Sequence, residues 1–370
     1  MRRAQECAIV GGGLAGFIAY ATLRHGGLAP AEIAVYGTDP DPAAQWRRRA
    51  RAIRQERMRS ESDGHCAPRS FPGLALRSAR RSMSPAPLVR SLFDRYHPTV
   101  DEFLGHVEEL RARSGWDESF VRRPVQRIRA VDGGFELDGS AVFGHVLLAT
   151  GHPGLNTPEE LEGDPRAVHA YEPHDYAPEV EVVGAGMAAA TEWLNALAAG
   201  STVVSVRRRE PERRPLNLPR HFFTKRGLAA FHRSGVSERT ELLRRWSTPS
   251  YPAGRAWDEP VARAQRDGRF RVSSELNGAE QVICATGFRC GYGEAPLLCA
   301  LVEDHALETA NGAWLVLAPD STVPGLTGEG RTLSLAGIAG QWAFPAADTL
   351  MGAKYAARGF LQRVLTCRSR

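Results

Sequence analysis

At 370 residues the chain exceeds one ordinary domain and suits two to three. Its composition, 43% hydrophobic and 24% charged, excludes a disordered or fibrous protein. The 47 basic and 42 acidic residues leave a net +5, yet lysine occurs only at Lys225 and Lys354; this arginine skew accompanies heavy Ala, Gly and Pro use and reads as compositional bias, with no nucleic-acid partner expected.

Six cysteines (Cys7, Cys66, Cys284, Cys290, Cys299, Cys367) are scattered without a C-x-x-C pair, so structural zinc is not expected and a reduced, cytoplasmic setting is. Met1-Arg2-Arg3 before a mostly apolar stretch looks at first like a secretory leader. Gln5, Glu6 and three successive glycines break that stretch, and no run is long enough to span a bilayer, so no membrane partner is expected.

In chain order, the apolar run 7–10 predicts a strand that ends in Gly11-Gly12-Gly13-Leu14-Ala15-Gly16. Phe17, Ala21 and Leu23 then continue at helical spacing, and a second apolar run, 33–36, closes a roughly 30-residue strand–turn–helix–strand unit. Residues 47–87 are rich in Arg and Pro and read as loop, as do 211–260, which is also expected to hold a helical insertion. Val146-Leu147-Leu148 runs into Ala149-Thr150-Gly151. The plan then repeats: strand 180–183 enters Gly184-Ala185-Gly186, a helix passes Trp193 and Leu197 and stops at Gly200, and 202–206 returns. A second Ala285-Thr286-Gly287 follows strand 282–284. The expected class is α/β with two Rossmann-like dinucleotide-binding domains, the second inserted into the first: 1–155, 156–289 and 290–370.

A glycine-rich turn between strand and helix suits pyrophosphate, because free N–H groups and the helix dipole face the anion and glycine lets it approach. After Val206 come Arg207, Arg208 and Arg209, where an NAD site places an acidic residue; guanidinium forks there favour the 2′-phosphate of NADP. At the first unit the strand-end acidic residue is missing, Tyr36 and Gly37 standing in its place. Eleven histidines form no H-x-x-x-H pair and no G-x-S-x-G elbow occurs, so neither a metal site nor a serine triad is expected.

The order of the first glycine loop, Trp46-Arg47, Ala-Thr-Gly, the second loop, Cys284-Ala285-Thr286-Gly287-Phe288-Arg289 and Val323-Pro324-Gly325-Leu326 resembles the class B flavin-dependent monooxygenases. These include the flavin-containing monooxygenases, the Baeyer–Villiger enzymes and the ornithine/lysine N-hydroxylases. The chain departs from them at Ala43-Ala44-Gln45-Trp46, where Gly-Gly-x-Trp is usual, and at Gly163 and His169, whose spacing only echoes the fingerprint before the second loop. The resemblance implies FAD on Gly11, Gly13 and Gly16, with Trp46, Arg47, Met58, Thr150 and Asp348 beside it, and NADPH on Gly184, Gly186, Arg207, Arg208 and Thr286. It places the polar segment 58–65 at the flavin, making Arg59, Ser60 and His65 the expected catalytic residues. Asp348 has a second reading as a helix N-cap, with Trp342 and Phe344 in the core. The implied reaction is N- or S-oxygenation of a small amine, amino acid or thioether by O₂ through a flavin C4a-hydroperoxide, with a homodimer as the assembly to test. The alternative is an NAD(P)H-dependent flavoprotein reductase.

Overall fold

The computed structural model describes residues 6–58, 66–67, 73–92, 96–213, 218–246, 249–251 and 254–369. They divide into two compact units, one of Met1–Arg47, Glu56–His152 and Cys290–Arg370, the other of Arg48–Gln55 and Pro153–Arg289.

The first unit is built on a five-stranded parallel sheet in the order Thr332–Leu335, His145–Leu148, Cys7–Val10, Ile33–Gly37, Phe120–Arg122. The strands Cys7–Val10, Ile33–Gly37 and His145–Leu148 are buried along their whole length, which is why they read as unbroken apolar runs rather than as alternation. Helix Leu14–His25 and the C-terminal helix Leu350–Arg368 cover one face. Ala353, Ala356 and Ala357 are buried with Phe360 in the core of this unit, and these small side chains let the helices approach closely. Trp116 is buried in the same core, edge-on to both Phe17 and Tyr20 at 5.1 and 5.3 Å.

The second unit repeats the plan with Phe270–Ser273, Thr202–Val206, Glu179–Val183, Gln281–Cys284 and Ala167–His169, again all parallel. Its core gathers Val180, Val182, Trp193, Val203, Phe270 and Ile283 beneath helix Met187–Ala198. In each sheet the strand that feeds the glycine loop lies between its returning strand and the Ala-Thr-Gly strand. That is the topological switch point, where open α/β sheets take their ligands.

Of the two Arg- and Pro-rich stretches read as loop, 47–87 carries helices that were not expected, while 211–260 carries helices where a helical insertion was expected. Residues 47–87 contribute to helices Ala44–Ala52, Gly73–Ser82 and Ala86–Leu92, and 211–260 to Lys225–Arg233, Val236–Trp246 and Arg255–Arg266. Arginine is a good helix former, and Pro87 sits in a first turn where its missing N–H costs nothing; Pro260 is carried inside its helix. Phe222 is buried against Phe231 and Trp246, so in this insertion it packs helices together. Among the described residues no helix is long and apolar enough to cross a membrane.

Candidate functional site

The first glycine loop is held by its neighbours in the sheet. Gly11 has φ +121° and donates its N–H to the Tyr36 carbonyl at 2.8 Å, and Ala149 donates to Val10 at 2.7 Å. A β-carbon at Gly11 would overlap the Ala149 carbonyl, and one at Gly16 would overlap the Gly11 carbonyl. Gly13 differs. It is the N-cap of helix Leu14–His25 with ordinary extended backbone, no side chain caps the helix, and a β-carbon there would meet nothing within 4 Å. Gly11 and Gly16 are therefore small because the protein is tight, whereas Gly13 is small beside open space. The N–H groups of the first helical turn have no side-chain cap there.

The second loop copies this geometry. Gly184, φ +131°, donates to Val206 at 3.1 Å, and a β-carbon on it would stand 2.5 Å from the Ala285 carbonyl oxygen. Gly186 caps helix Met187–Ala198 with no side-chain bond and nothing within 4 Å of where a β-carbon would lie.

The two Ala-Thr-Gly turns differ in their threonines. The Thr150 hydroxyl is buried without a hydrogen-bond partner, an expensive state in a protein interior that a bound ligand would relieve. The Thr286 hydroxyl is satisfied by the Asn156 carbonyl, and Asn156 in turn donates to the Thr286 and Gly287 carbonyls at 3.3 and 3.0 Å. An open helix N-terminus with an orphaned hydroxyl at the neighbouring turn is a donor set that fits a pyrophosphate with its ribose. The residues present thus fit a dinucleotide at the first loop, and the cradle at Gly184 and Gly186 fits one at the second.

The other residues singled out in the sequence fall as follows. Trp46 packs edge-on against Phe103 at 4.9 Å, in the core of the first unit. Arg47 pairs with Asp41 at 2.8 Å, and Asp41 also accepts the Ala43 N–H ahead of the helix. Met58 is buried, its N–H donating to the Pro98 carbonyl. Asp348 is exposed, but the N-cap of the C-terminal helix is Thr349, whose hydroxyl accepts the Gly352 N–H at 3.1 Å; the N-cap reading of Asp348 is corrected accordingly. Trp342 and Phe344 are buried, as that reading supposed. Arg207 is largely enclosed and bonded to Glu210, while Arg208 is exposed, 3.9 Å from Glu160. Arg59, Ser60 and His65 lie outside the described residues.

At the first site the absent acidic residue has a steric cause that sequence alone did not show. A β-carbon at Gly37 would lie 3.0 Å from both the Gly12 Cα and N, so a side chain at the strand end would press on the glycine-loop backbone. His169 ends its strand buried, donating from Nε2 to the Gly287 carbonyl at 3.0 Å, while its Nδ1 accepts the Tyr171 N–H at 3.1 Å. Burial lowers its pKa, and this neutral ring fastens the second Ala-Thr-Gly turn. Burial, then the carboxylates of Asp164, Glu160 and Glu172, push the Cys284 thiol up to about 11, so it is no nucleophile. Among the described residues no cluster of side chains is arranged to hold a metal ion.

No family model and no curated protein matches the sequence. Solved structures share its fold almost end to end. An ornithine N-hydroxylase of Kutzneria sp. 744, with reduced FAD, NADP+ and L-ornithine, superposes with a TM-score of 0.73 over 99% of this chain and 100% of its own at 14% identity. The cadaverine monooxygenase of the Erwinia amylovora desferrioxamine pathway, bound to FAD, gives 0.72 over 98% and 95% at 12% identity. A bacillithiol disulfide reductase from Bacillus cereus gives 0.59 over 98% and 99% at 14% identity. The chain thus has the α/β, two-Rossmann fold of these proteins.

Proposed function

We propose that the protein is an FAD- and NADPH-dependent monooxygenase that hydroxylates the nitrogen of a small primary amine. The observation that carries this reading is the pair of uncapped, ligand-ready helix N-termini at Gly13 and Gly186, each at the switch point of its own parallel sheet. The end-to-end likeness to an ornithine N-hydroxylase and a cadaverine monooxygenase, with a higher TM-score than the disulfide reductase, supports monooxygenation and an amine. Bound FAD would accept electrons from NADPH and activate O₂, one oxygen atom passing to the amine and the other leaving as water.

The chain's own work is binding and orientation. Gly11, Gly13, Gly16 and Thr150 would hold FAD, with Trp46, Arg47, Met58 and Asp348 assigned to the same cofactor. Gly184, Gly186, Arg207, Arg208 and Thr286 would hold NADPH, and Arg59, Ser60 and His65 would guard the reacting oxygen. The buried thiols are not required. Purified protein tests the reading: a flavin absorbance, NADPH oxidation stimulated by ornithine, lysine or cadaverine, and hydroxylamine formed in step with NADPH consumed. NADPH oxidation that needs a disulfide and no O₂ would replace it with the reductase, and the absence of any turnover would leave a dinucleotide sensor.

A further inference from the structure

Arg207, the first residue after strand Thr202–Val206, is not a free surface cation. Its side chain is only 9% exposed, its Cζ lies 5.3 Å from the centroid of the Trp193 ring, and Nη2 donates to Glu210 at 2.8 Å. The aromatic support continues beyond it. Trp193 meets Tyr251 edge-on at 5.6 Å, and Arg213 lies 4.2 Å over the Tyr251 ring, donating to the Tyr251 hydroxyl at 2.9 Å and to Asp258. Two guanidiniums are thus mounted on one pair of rings, each with a resident carboxylate.

The two carboxylates are held unequally. Asp258 accepts from Arg213 and also from the Gly254 N–H at 3.0 Å. Glu210 is 74% exposed, and among the described residues Arg207 is its one partner. An exposed carboxylate on a flexible arm is cheaply displaced. A guanidinium stacked on an indole stays aimed when its partner leaves, and its planar fork prefers a phosphate dianion to a carboxylate.

We infer that Glu210 is the exchangeable counter-ion of Arg207: it occupies the guanidinium in the absence of nucleotide and yields it to the 2′-phosphate of NADPH, so that Glu210 sets how strongly the protein prefers NADPH to NADH. Asp258, doubly held, keeps Arg213 as part of the mount. The inference rests on the assignment of NADPH to the second cradle.

The test measures dissociation constants for 2′,5′-ADP and 5′-AMP, which differ by the phosphate alone and need no turnover. The parent protein should bind 2′,5′-ADP about thirtyfold more tightly, and R207A should collapse that ratio. E210Q should tighten 2′,5′-ADP roughly fivefold and leave 5′-AMP unchanged, whereas D258N should leave the ratio as it is. If R207A collapses the ratio while E210Q leaves or lowers it, or if D258N raises it as E210Q does, Glu210 is structural and the inference is overturned. If the parent shows no preference and R207A changes nothing, the assignment of NADPH to this cradle falls first and the inference with it.

Discussion

Gly11 and Gly13 stand two residues apart in one loop, and the structure gives them opposite reasons for being glycine. Gly13→Asp separates a ligand site from a packing turn. Nothing lies within 4 Å of a β-carbon there and the backbone is extended, so the protein accommodates the new side chain without strain. The carboxylate caps a helix that has no side-chain cap and sits at the positive end of its dipole, together about 0.5–1 kcal/mol of added stability in the absence of cofactor. The same carboxylate would occupy the space facing the first-turn N–H groups. Against one negative charge at about 4 Å and an effective dielectric near 20, the repulsion is about 4 kcal/mol, or roughly a thousandfold in FAD affinity. The assay is paired: flavin content and FAD titration on one side, thermal unfolding of the flavin-free protein on the other. Loss of flavin with a raised or unchanged melting temperature is expected. Full flavin retention would refute the reasoning, since the open space would then not be where the pyrophosphate lies.

The same substitution at Gly186 should leave flavin bound and abolish reduction by NADPH, seen as an unbleached flavin spectrum under anaerobic NADPH. Gly11→Ala, at φ +121° and against the Ala149 carbonyl, should instead destabilise the protein by several kcal/mol whether or not flavin is present, measured by denaturant unfolding. Burial, reinforced by Arg77, Lys354 and Arg113, lowers His106 to about 4, so the unfolded chain takes up a proton that the folded one refuses; stability should fall by about 3 kcal/mol as pH drops from 6.5 to 4, and His106→Gln should flatten that slope. For His174, burial would lower the pKa, but its hydrogen bonds to Glu192 at 3.1 Å and to the Glu172 carbonyl raise it above the ordinary value; the stability it contributes is complete below about 6.5 and lost as pH rises through the folded value, a dependence that His174→Gln should abolish in a pH series of unfolding curves. Ser60→Ala or Arg59→Ala should keep flavin and NADPH oxidation while hydrogen peroxide replaces hydroxylated product, and unchanged coupling in a peroxide assay would remove that segment from the site.

Both glycine loops and both Ala-Thr-Gly turns were legible because their signal is local: a fully apolar strand, then a residue pattern that only a tight strand-to-helix turn requires. The helices within 47–87 were not legible, and those within 211–260 only as an insertion without bounds. In 47–87 the composition hides them, since Arg51, Arg80, Arg81 and Arg90 face solvent while small residues such as Ala50, Ala75 and Ala79 do the packing in place of large apolar ones. Contacts between distant residues were equally hidden. Nothing in the sequence places Trp46 against Phe103, or Trp193 and Tyr251, 58 positions apart, under two arginines. Asp348 reads as an N-cap as well as Thr349 does until the helix start is located, and only the Thr349 hydroxyl reaches the Gly352 N–H.

The crowding of Gly37 against Gly12 has a bearing on cofactor supply. A strand-end carboxylate gripping a ribose through charge-assisted hydrogen bonds is worth about 2 kcal/mol, so a cradle that has glycine there instead gives up roughly thirtyfold in retention. With FAD in that cradle, the protein would behave as a borrower of flavin rather than its permanent owner. Its working fraction should then rise and fall with free FAD, and protein purified by dilution and washing should emerge pale until flavin is added back.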